Sequence, residues 1–192
     1  MACKTLGVGI RPYYFEKLLW AGPLNRREEP DPMSLQLIVR SAQADDYQAW
    51  LRLWHGYCKA LDGDVPAKVT EGVWRRIPAP KEAIWCLLAC RDAGKPIGLA
   101  NYVLHPHTWS LQTVSYLEDL FVAPDDRGSG AGEALINGLV ALGRQHGWRR
   151  VYWHTHDDNH RARSLYGRIV PRTDYVRYDI EIGAPSDPPG IL

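Results

Sequence analysis

The sequence predicts a mixed α/β (α+β) domain built around one sheet. Three observations carry that reading. Strand-like and helix-like stretches interleave between residues 35 and 182. A turn at residues 91–94 joins two apolar runs as a hairpin. A glycine-rich turn then links a strand to a long amphipathic helix.

Taken in order, residues 35–40 form a strand. Residues 44–61 form a helix whose stripe is Tyr47, Leu51, Trp54 and Cys58. Residues 66–77 form a second helix, with Pro66 near its first turn. Residues 83–90 and 96–104 are the two strands of the hairpin, and 113–122 is a further strand. Residues 130–146 form a helix with Leu135, Leu139 and Leu142 inward, stopped by Gly147. A strand at 150–155, a short helix at 159–168 and a last strand at 175–182 complete the domain. Residues 1–33 mix Gly, Pro, Arg and Glu without periodicity, so they read as a disordered or loosely docked tail, with Met33 as an alternative start. The domain is expected over 34–183, and the Pro- and Gly-rich stretch 184–192 as a second tail.

Composition narrows the classes of function. With 192 residues, 45% hydrophobic and 23% charged, the chain is ordinary globular material. A net charge of +1 argues against a nucleic-acid binder that works by neutralising phosphates. The longest apolar run, residues 83–90, is far short of the roughly 20 residues a membrane span needs. No signal-peptide core is visible, so a cytoplasmic location is expected. The cysteines are Cys3, Cys58, Cys86 and Cys90, with no C-x-x-C pair. Along a strand Cys86 and Cys90 lie about 13 Å apart, too far for a disulfide, so reduced buried thiols are expected.

The most informative stretch runs from Leu120-Phe121-Val122 to Arg127-Gly128-Ser129-Gly130-Ala131-Gly132-Glu133. Glycines let the backbone take positive φ and approach a ligand closely. Amides at the start of the following helix, with its dipole and Arg127, favour an anion such as a pyrophosphate. A Walker loop is excluded because no Gly-Lys-Ser/Thr follows. The dinucleotide fingerprint fails because Glu133 stands at its last glycine position. A nucleophile elbow is one residue short on each side of Ser129.

Arg127 to Gly132 resembles the R/Q-x-x-G-x-G/A acyl-CoA signature of the GNAT superfamily of N-acetyltransferases. Downstream, Asn159 stands seven residues before Tyr166, similar to the later motif of that superfamily. More narrowly, Tyr116 to Val122 is similar to a strand of the spermidine/spermine acetyltransferases. It is also similar to fungal and bacterial enzymes acting on histones, polyamines or D-amino acids. Trp153-His154-Thr155 and Tyr175-Val176-Arg177-Tyr178 are closer to that second group. Residues 168–172 are apolar or basic where the polyamine enzymes carry an acidic segment.

The resemblance implies an acyl-CoA N-acyltransferase fold: a mixed, mostly antiparallel central sheet flanked by about four helices. It implies acetyl-CoA as co-substrate, an amine acceptor on a small molecule or protein, and direct attack in a ternary complex. It allows a homodimer. The implied cofactor residues are Leu120, Phe121, Val122, the stretch Arg127, Gly128, Ser129, Gly130, Ala131, Gly132 and Glu133, and then Asn159 and Arg161. The backbone of Leu120 and Val122 is implied to pair with the pantetheine arm and polarise the thioester oxygen. Asn159 also suits a helix N-cap.

Acetyl transfer needs a neutral amine and a proton for the departing thiolate. A lysine-like amine lies about 3.4 pH units from neutrality at pH 7, roughly 4.6 kcal/mol; an α-amine near 7.8 costs only about 1 kcal/mol. Glu118 is the candidate base, directly or through water. Strand alternation puts Tyr116, Glu118 and Leu120 on one face, with Leu117, Asp119 and Phe121 on the other. The plainer reading of Glu118 is a solvated or salt-bridged strand residue. Tyr166 is the candidate acid, and its plainer reading is an amphipathic core tyrosine. His154 and His156 would share a strand face but have no third ligand at motif spacing, so no metal is expected. Arg144, Arg149, Arg150, Arg161, Arg163 and Arg168 are expected around the cofactor end. Tyr47, Trp50, Trp54 and Tyr57 are read as core and part of a substrate wall. Two rivals stay open: a catalytically silent CoA-binding regulatory or interaction module, and a nucleotide-phosphate binder that does not transfer acetyl groups.

Overall fold

A computed structural model describes residues 37–79, 82–91, 94–180 and 182. The two expected tails, Cys3 and the centre of the turn at 91–94 lie outside the described residues. The chain divides into two compact units between His156 and Asp157.

The first unit holds the sheet. Its strands are β1 (Leu37–Ser41), β2 (Ile84–Arg91), β3 (Lys95–His107), β4 (Ser110–Val122) and β5 (Arg150–Tyr152), side by side in that order. The β1–β2, β2–β3 and β3–β4 pairings are antiparallel; β4–β5 is parallel. The helices are α1 (Tyr47–Ala60), α2 (Ala67–Arg76) and α3 (Ala131–Gln145).

One face of the sheet carries an indole-rich core. Trp50, Leu53, Trp54 and Cys58 of α1 and Trp74 of α2 bury against Cys86, Leu88, Cys90, Leu99 and Phe121. The Trp50 and Trp54 rings stack at 5.5 Å and 8°, and Trp74 lies 5.1 Å from Trp50. Both N–H groups are satisfied: Trp54 Nε1 donates to Thr70 Oγ1 at 3.2 Å, and Trp50 Nε1 to Asn101 Oδ1 at 3.4 Å. That satisfaction is what lets indoles be buried at low cost. On the other face Leu135, Ile136, Leu139 and Leu142 of α3 are buried, at the spacing of one helical stripe. Arg40 clamps the entry to α1 by donating to both oxygens of Asp46 at 2.6 and 2.8 Å. That hydrogen bonding holds the Asp46 carboxyl below the usual carboxylate range.

The second unit contains α4 (His160–Ile169), capped by Asn159 Oδ1 accepting from Ala162 N at 3.1 Å.

Two strand expectations fail. β5 ends at Tyr152 instead of residue 155, so His154 and His156 do not share a strand face. Residues 171–180 pair with no described strand, so the expected last strand is not formed among the described residues. In both places the apolar alternation exists but no neighbouring backbone completes a ladder.

Candidate active site

β4 is the element that organises the site, and it is not a regular strand. Asn101 pairs with Asp119 and the next β3 residue, Tyr102, pairs with Leu117. Glu118 therefore sits in a β-bulge, and the side-chain alternation resets there. Leu117 shares a face with Tyr102, whose ring packs on Trp148 after α3 (5.9 Å between centroids). Asp119 shares a face with Asn101 and α1. The expected grouping of Leu117 with Asp119 is thus corrected: the extra residue turns them to opposite sides.

The bulge also decides which carboxylate is buried. Glu118 is exposed. Asp119 is half-buried, with Asn101 Nδ2 donating to its Oδ2 at 3.0 Å and the Tyr57 hydroxyl donating to it as well. Burial pushes the Asp119 carboxyl up, and the two hydrogen bonds offset part of that rise. Burial and then the Asp119 charge push the Tyr57 phenol up, and Glu118 adds to the effect. Tyr57 stays a neutral donor, and both acidic side chains act on it. The Trp50–Asn101–Asp119–Tyr57 network ties α1 to β4 through hydrogen bonds. Phe121, also on this face, sits edge-on to Tyr57 at 6.3 Å. Sequence reasoning passed over Asp119 because period-two alternation assigned it beside Leu117. Asn101, 18 residues upstream on the neighbouring strand, offered no local signal.

Beyond the bulge β4 has one strand neighbour. β5 pairs only with Val114, Ser115 and Tyr116. From Leu117 to Val122 the edge of β4 away from β3 meets no described strand. Leu120 and Val122 are half-buried there, and Arg127 Nε donates to the Val122 carbonyl at 3.3 Å. The remaining guanidinium N–H groups are not part of that bond.

A short turn at Pro124–Asp126 carries the chain into the glycine loop. Asp126 is pinned by Arg91 at the end of β2 (Nη2–Oδ1, 2.8 Å), and Ser129 Oγ donates to the Asp126 carbonyl at 2.7 Å. Gly128 and Gly130 take φ of +82° and +84°. A side chain would strain both positions, and Gly130 is the N-cap of α3. Gly130 has no side chain to cap that first turn, and the amides of Ala131 and Gly132 stand at the positive end of a 15-residue helix. Glu133 is exposed on the same turn.

Arg144, Arg149 and Arg150 are not near this loop. Arg144 lies at the far end of α3, about 20 Å along the helix. Arg149 and Arg150 open β5 beside Thr113 and Val114, at the opposite end of β4. Arg150 stacks over Tyr152 at 5.1 Å. The expected arginine ring around the cofactor end is corrected for these three.

In the second unit, Tyr166 is half-buried on α4, and burial pushes its phenol up. Arg161 is exposed on the first turn. Arg163 pairs with Asp157 at 3.0 Å, and Arg168 donates to the Ser164 carbonyl at 3.1 Å. Among the described residues no three His, Cys, Asp or Glu side chains gather as a metal site.

The acetyltransferase (GNAT) family profile matches residues 43–170. This chain belongs to the GNAT acetyltransferase family. It is 33% identical over 153 residues to D-amino-acid N-acetyltransferase HPA3 of Saccharomyces cerevisiae, covering 79% of this chain and 95% of that protein. It is 29% identical over 100 residues to the uncharacterized N-acetyltransferase YhfO of Bacillus subtilis, 51% of this chain and 67% of that one. Solved GNAT structures share the fold. The ribosomal-protein-alanine N-acetyltransferase of Brucella melitensis superposes with a TM-score of 0.65 at 20% identity, over 76% of this chain and 99% of that one. An aminoglycoside acetyltransferase from an uncultured soil metagenomic sample gives 0.66 at 15% identity, over 77% and 97%. The mixed five-stranded sheet with four helices is therefore the GNAT fold.

Proposed function

We propose that this GNAT protein transfers an acetyl group from acetyl-CoA to the primary amine of a small amino acid, by direct attack in a ternary complex. The observation that carries the reading is the glycine loop: two residues at positive φ, held by Arg91 and Ser129, open onto uncapped amides of α3. The family membership supports acetyl-CoA as donor. The 33% identical relative, named for D-amino acids, supports the acceptor class.

Each residue then has a task. The backbone of Gly128 to Gly132, with Arg127, takes the pyrophosphate. Leu120 and Val122, on the unpaired edge of β4, line the pantetheine arm, and Asn159 and Arg161 add polar contacts. Glu118, exposed and with ordinary access to water, takes the proton from the acceptor ammonium through a water molecule. Asp119, acting with Tyr57, sets the negative potential that holds the ammonium nearby. The amine nitrogen attacks the thioester carbonyl and gives up its second proton to water, the C–S bond breaks, and Tyr166 gives its phenolic proton to the leaving sulfur, recovering one from solvent. Its pKa, raised by burial, keeps that proton in place until the thiolate forms.

Free-thiol release from acetyl-CoA tests the reading, with D- and L-amino acids, spermidine, lysine and a basic peptide as acceptors. Turnover led by the D-amino acids is the expected result. CoA binding with no release on any acceptor would convert the protein into a silent CoA-binding module. Tyr166→Phe is expected to lower kcat at least tenfold with acetyl-CoA affinity retained; unchanged turnover removes Tyr166 from the acid role.

A further inference from the structure

The sheet face that carries the indole-rich core continues past it, and there it changes character. Asn101, Val103 and His105 alternate onto this face of β3, and the bulge brings Asp119, Tyr116 and Val114 of β4 opposite them. Tyr152 of β5 stands beside Tyr116. All of these residues belong to the first unit. At the Asn101 level the face is acidic, with Asp119 held by Asn101 and Tyr57. One strand period further on it is aromatic and basic.

That basic end is built from paired side chains. The Tyr116 and Tyr152 rings lie 5.0 Å apart, and His154 meets them at 5.5 and 5.8 Å. His154 Nδ1 is 3.3 Å from the Tyr116 hydroxyl. His105 Nδ1 lies 2.8 Å from the Pro106 carbonyl, which only accepts, so Nδ1 carries the proton. Nε2 of the neutral ring then accepts from the Tyr152 hydroxyl at 3.0 Å. That bond orients the Tyr152 ring, and Arg150 stacks over its face with the guanidinium carbon 5.1 Å from the centre. A stacked guanidinium keeps its N–H fork in plane, the geometry that takes a carboxylate. The potential here is positive. Partial burial, and then the charges of Arg150, Arg149 and His105, hold the His107 imidazole below its ordinary value.

The spacing selects the ligand. The Asp119 and Tyr116 levels are two β3 residues apart, about 7 Å. The nitrogen and carboxylate oxygens of an α-amino acid lie about 3 Å apart. With a charge-assisted hydrogen bond of about 2.8 Å at each end, such a zwitterion bridges up to roughly 9 Å. Its ammonium suits the acidic end and its carboxylate the basic end, whereas a polyamine would set a second cation against Arg150. We propose that Arg150 and His154, above the Tyr116–Tyr152 floor, form the subsite that takes the carboxylate of an α-amino-acid acceptor, an assignment that rests on the acceptor reading above.

Steady-state kinetics of the full chain test it, with three acceptors: the amino acid turned over best in the thiol-release assay, the carboxamide of that amino acid, and spermidine. The unmodified enzyme is expected to favour the acid over its amide at least tenfold in kcat/KM. Arg150→Gln is expected to raise KM for the acid at least tenfold and to erase that preference. Its kcat, its KM for the amide and its KM for acetyl-CoA are expected to stay within twofold. The more readily neutralised amine of the amide affects both enzymes alike and cancels in the comparison. Arg150→Lys is expected to restore part of the preference. Arg144→Gln, which removes the same charge at the far end of α3, is expected to change none of these values. An Arg150→Gln enzyme that loses acid and amide equally overturns the subsite, because the arginine then serves only the fold. An unmodified enzyme indifferent to the carboxylate overturns it as well, and that comparison stands even if Arg150→Gln fails to fold. Turnover led by spermidine overturns the subsite and leaves acetyl transfer standing. Thiol release on no acceptor overturns the underlying reading instead, and the subsite falls with it.

Discussion

The two ends of α3 use the same residue type for opposite purposes. At the C-terminal end Gly147 takes a φ of +66° and the helix closes on itself. His146 N donates to Leu142 O at 3.0 Å, Gly147 N to Arg144 O at 3.3 Å, and Trp148 N to Gly143 O at 2.8 Å. The Trp148 ring then covers Gly143, where an added Cβ would lie 2.9 Å from the indole. At the N-terminal end two glycines take positive φ, yet the restraints fall on Asp126 and Ser129, before the helix begins. The N-cap, Gly130, provides no side-chain cap. One end satisfies its backbone internally; the other is the anion seat proposed above. Glycine marks a turn in both places, and what distinguishes the proposed binding turn is the absence of a side chain on its N-cap.

Substitutions at the two ends should separate along that line. The largest effect is expected from Gly130→Val, which strains a left-handed position and crowds the anion seat. CoA affinity should fall at least 100-fold in a calorimetric titration, with the melting temperature changed much less; retained affinity would remove the loop from the cofactor site. Gly143→Val should do the reverse. Its side chain collides with Trp148, which should cost about 2 kcal/mol in urea unfolding and leave CoA affinity within twofold. Gly147→Ala should cost about 1 kcal/mol, the penalty of a Cβ in the left-handed region, again without altering CoA binding. The smallest effect is a slope. Asp119 is raised by burial, so its contribution to stability is full below its unfolded pKa and is lost as pH rises through the folded one. In Asp119→Asn that decline should disappear, and urea midpoints measured from pH 4 to pH 8 should show the difference from the unmodified chain. Parallel curves would mean that Asp119 ionises in the fold as it does in water.

The glycine loop and the α3 stripe were legible because their determinants are local: Leu135, Leu139 and Leu142 repeat at helical spacing, and Gly128 and Gly130 announce the turn. The β4 bulge was not. Tyr116 to Val122 alternates plausibly in either phase, and only the pairing of Asn101 with Asp119 fixes where the phase changes. The second half of β5 and the strand at 175–182 were over-read, because alternation specifies a face and not the neighbour that must complete it. Asn159 was legible in both of its expected senses as a sequence, and the structure shows the cap.

Glu118 joins two half-strands that obey different phases. Upstream, the odd-numbered residues Ser115 and Leu117 turn toward α3; downstream, the odd-numbered Asp119 and Phe121 turn toward α1. Deleting this one residue would leave every remaining side chain chemically intact and yet force half of the strand inside out. A single position therefore acts as a phase joint, and its presence, more than its side chain, is what keeps both faces of the sheet in step.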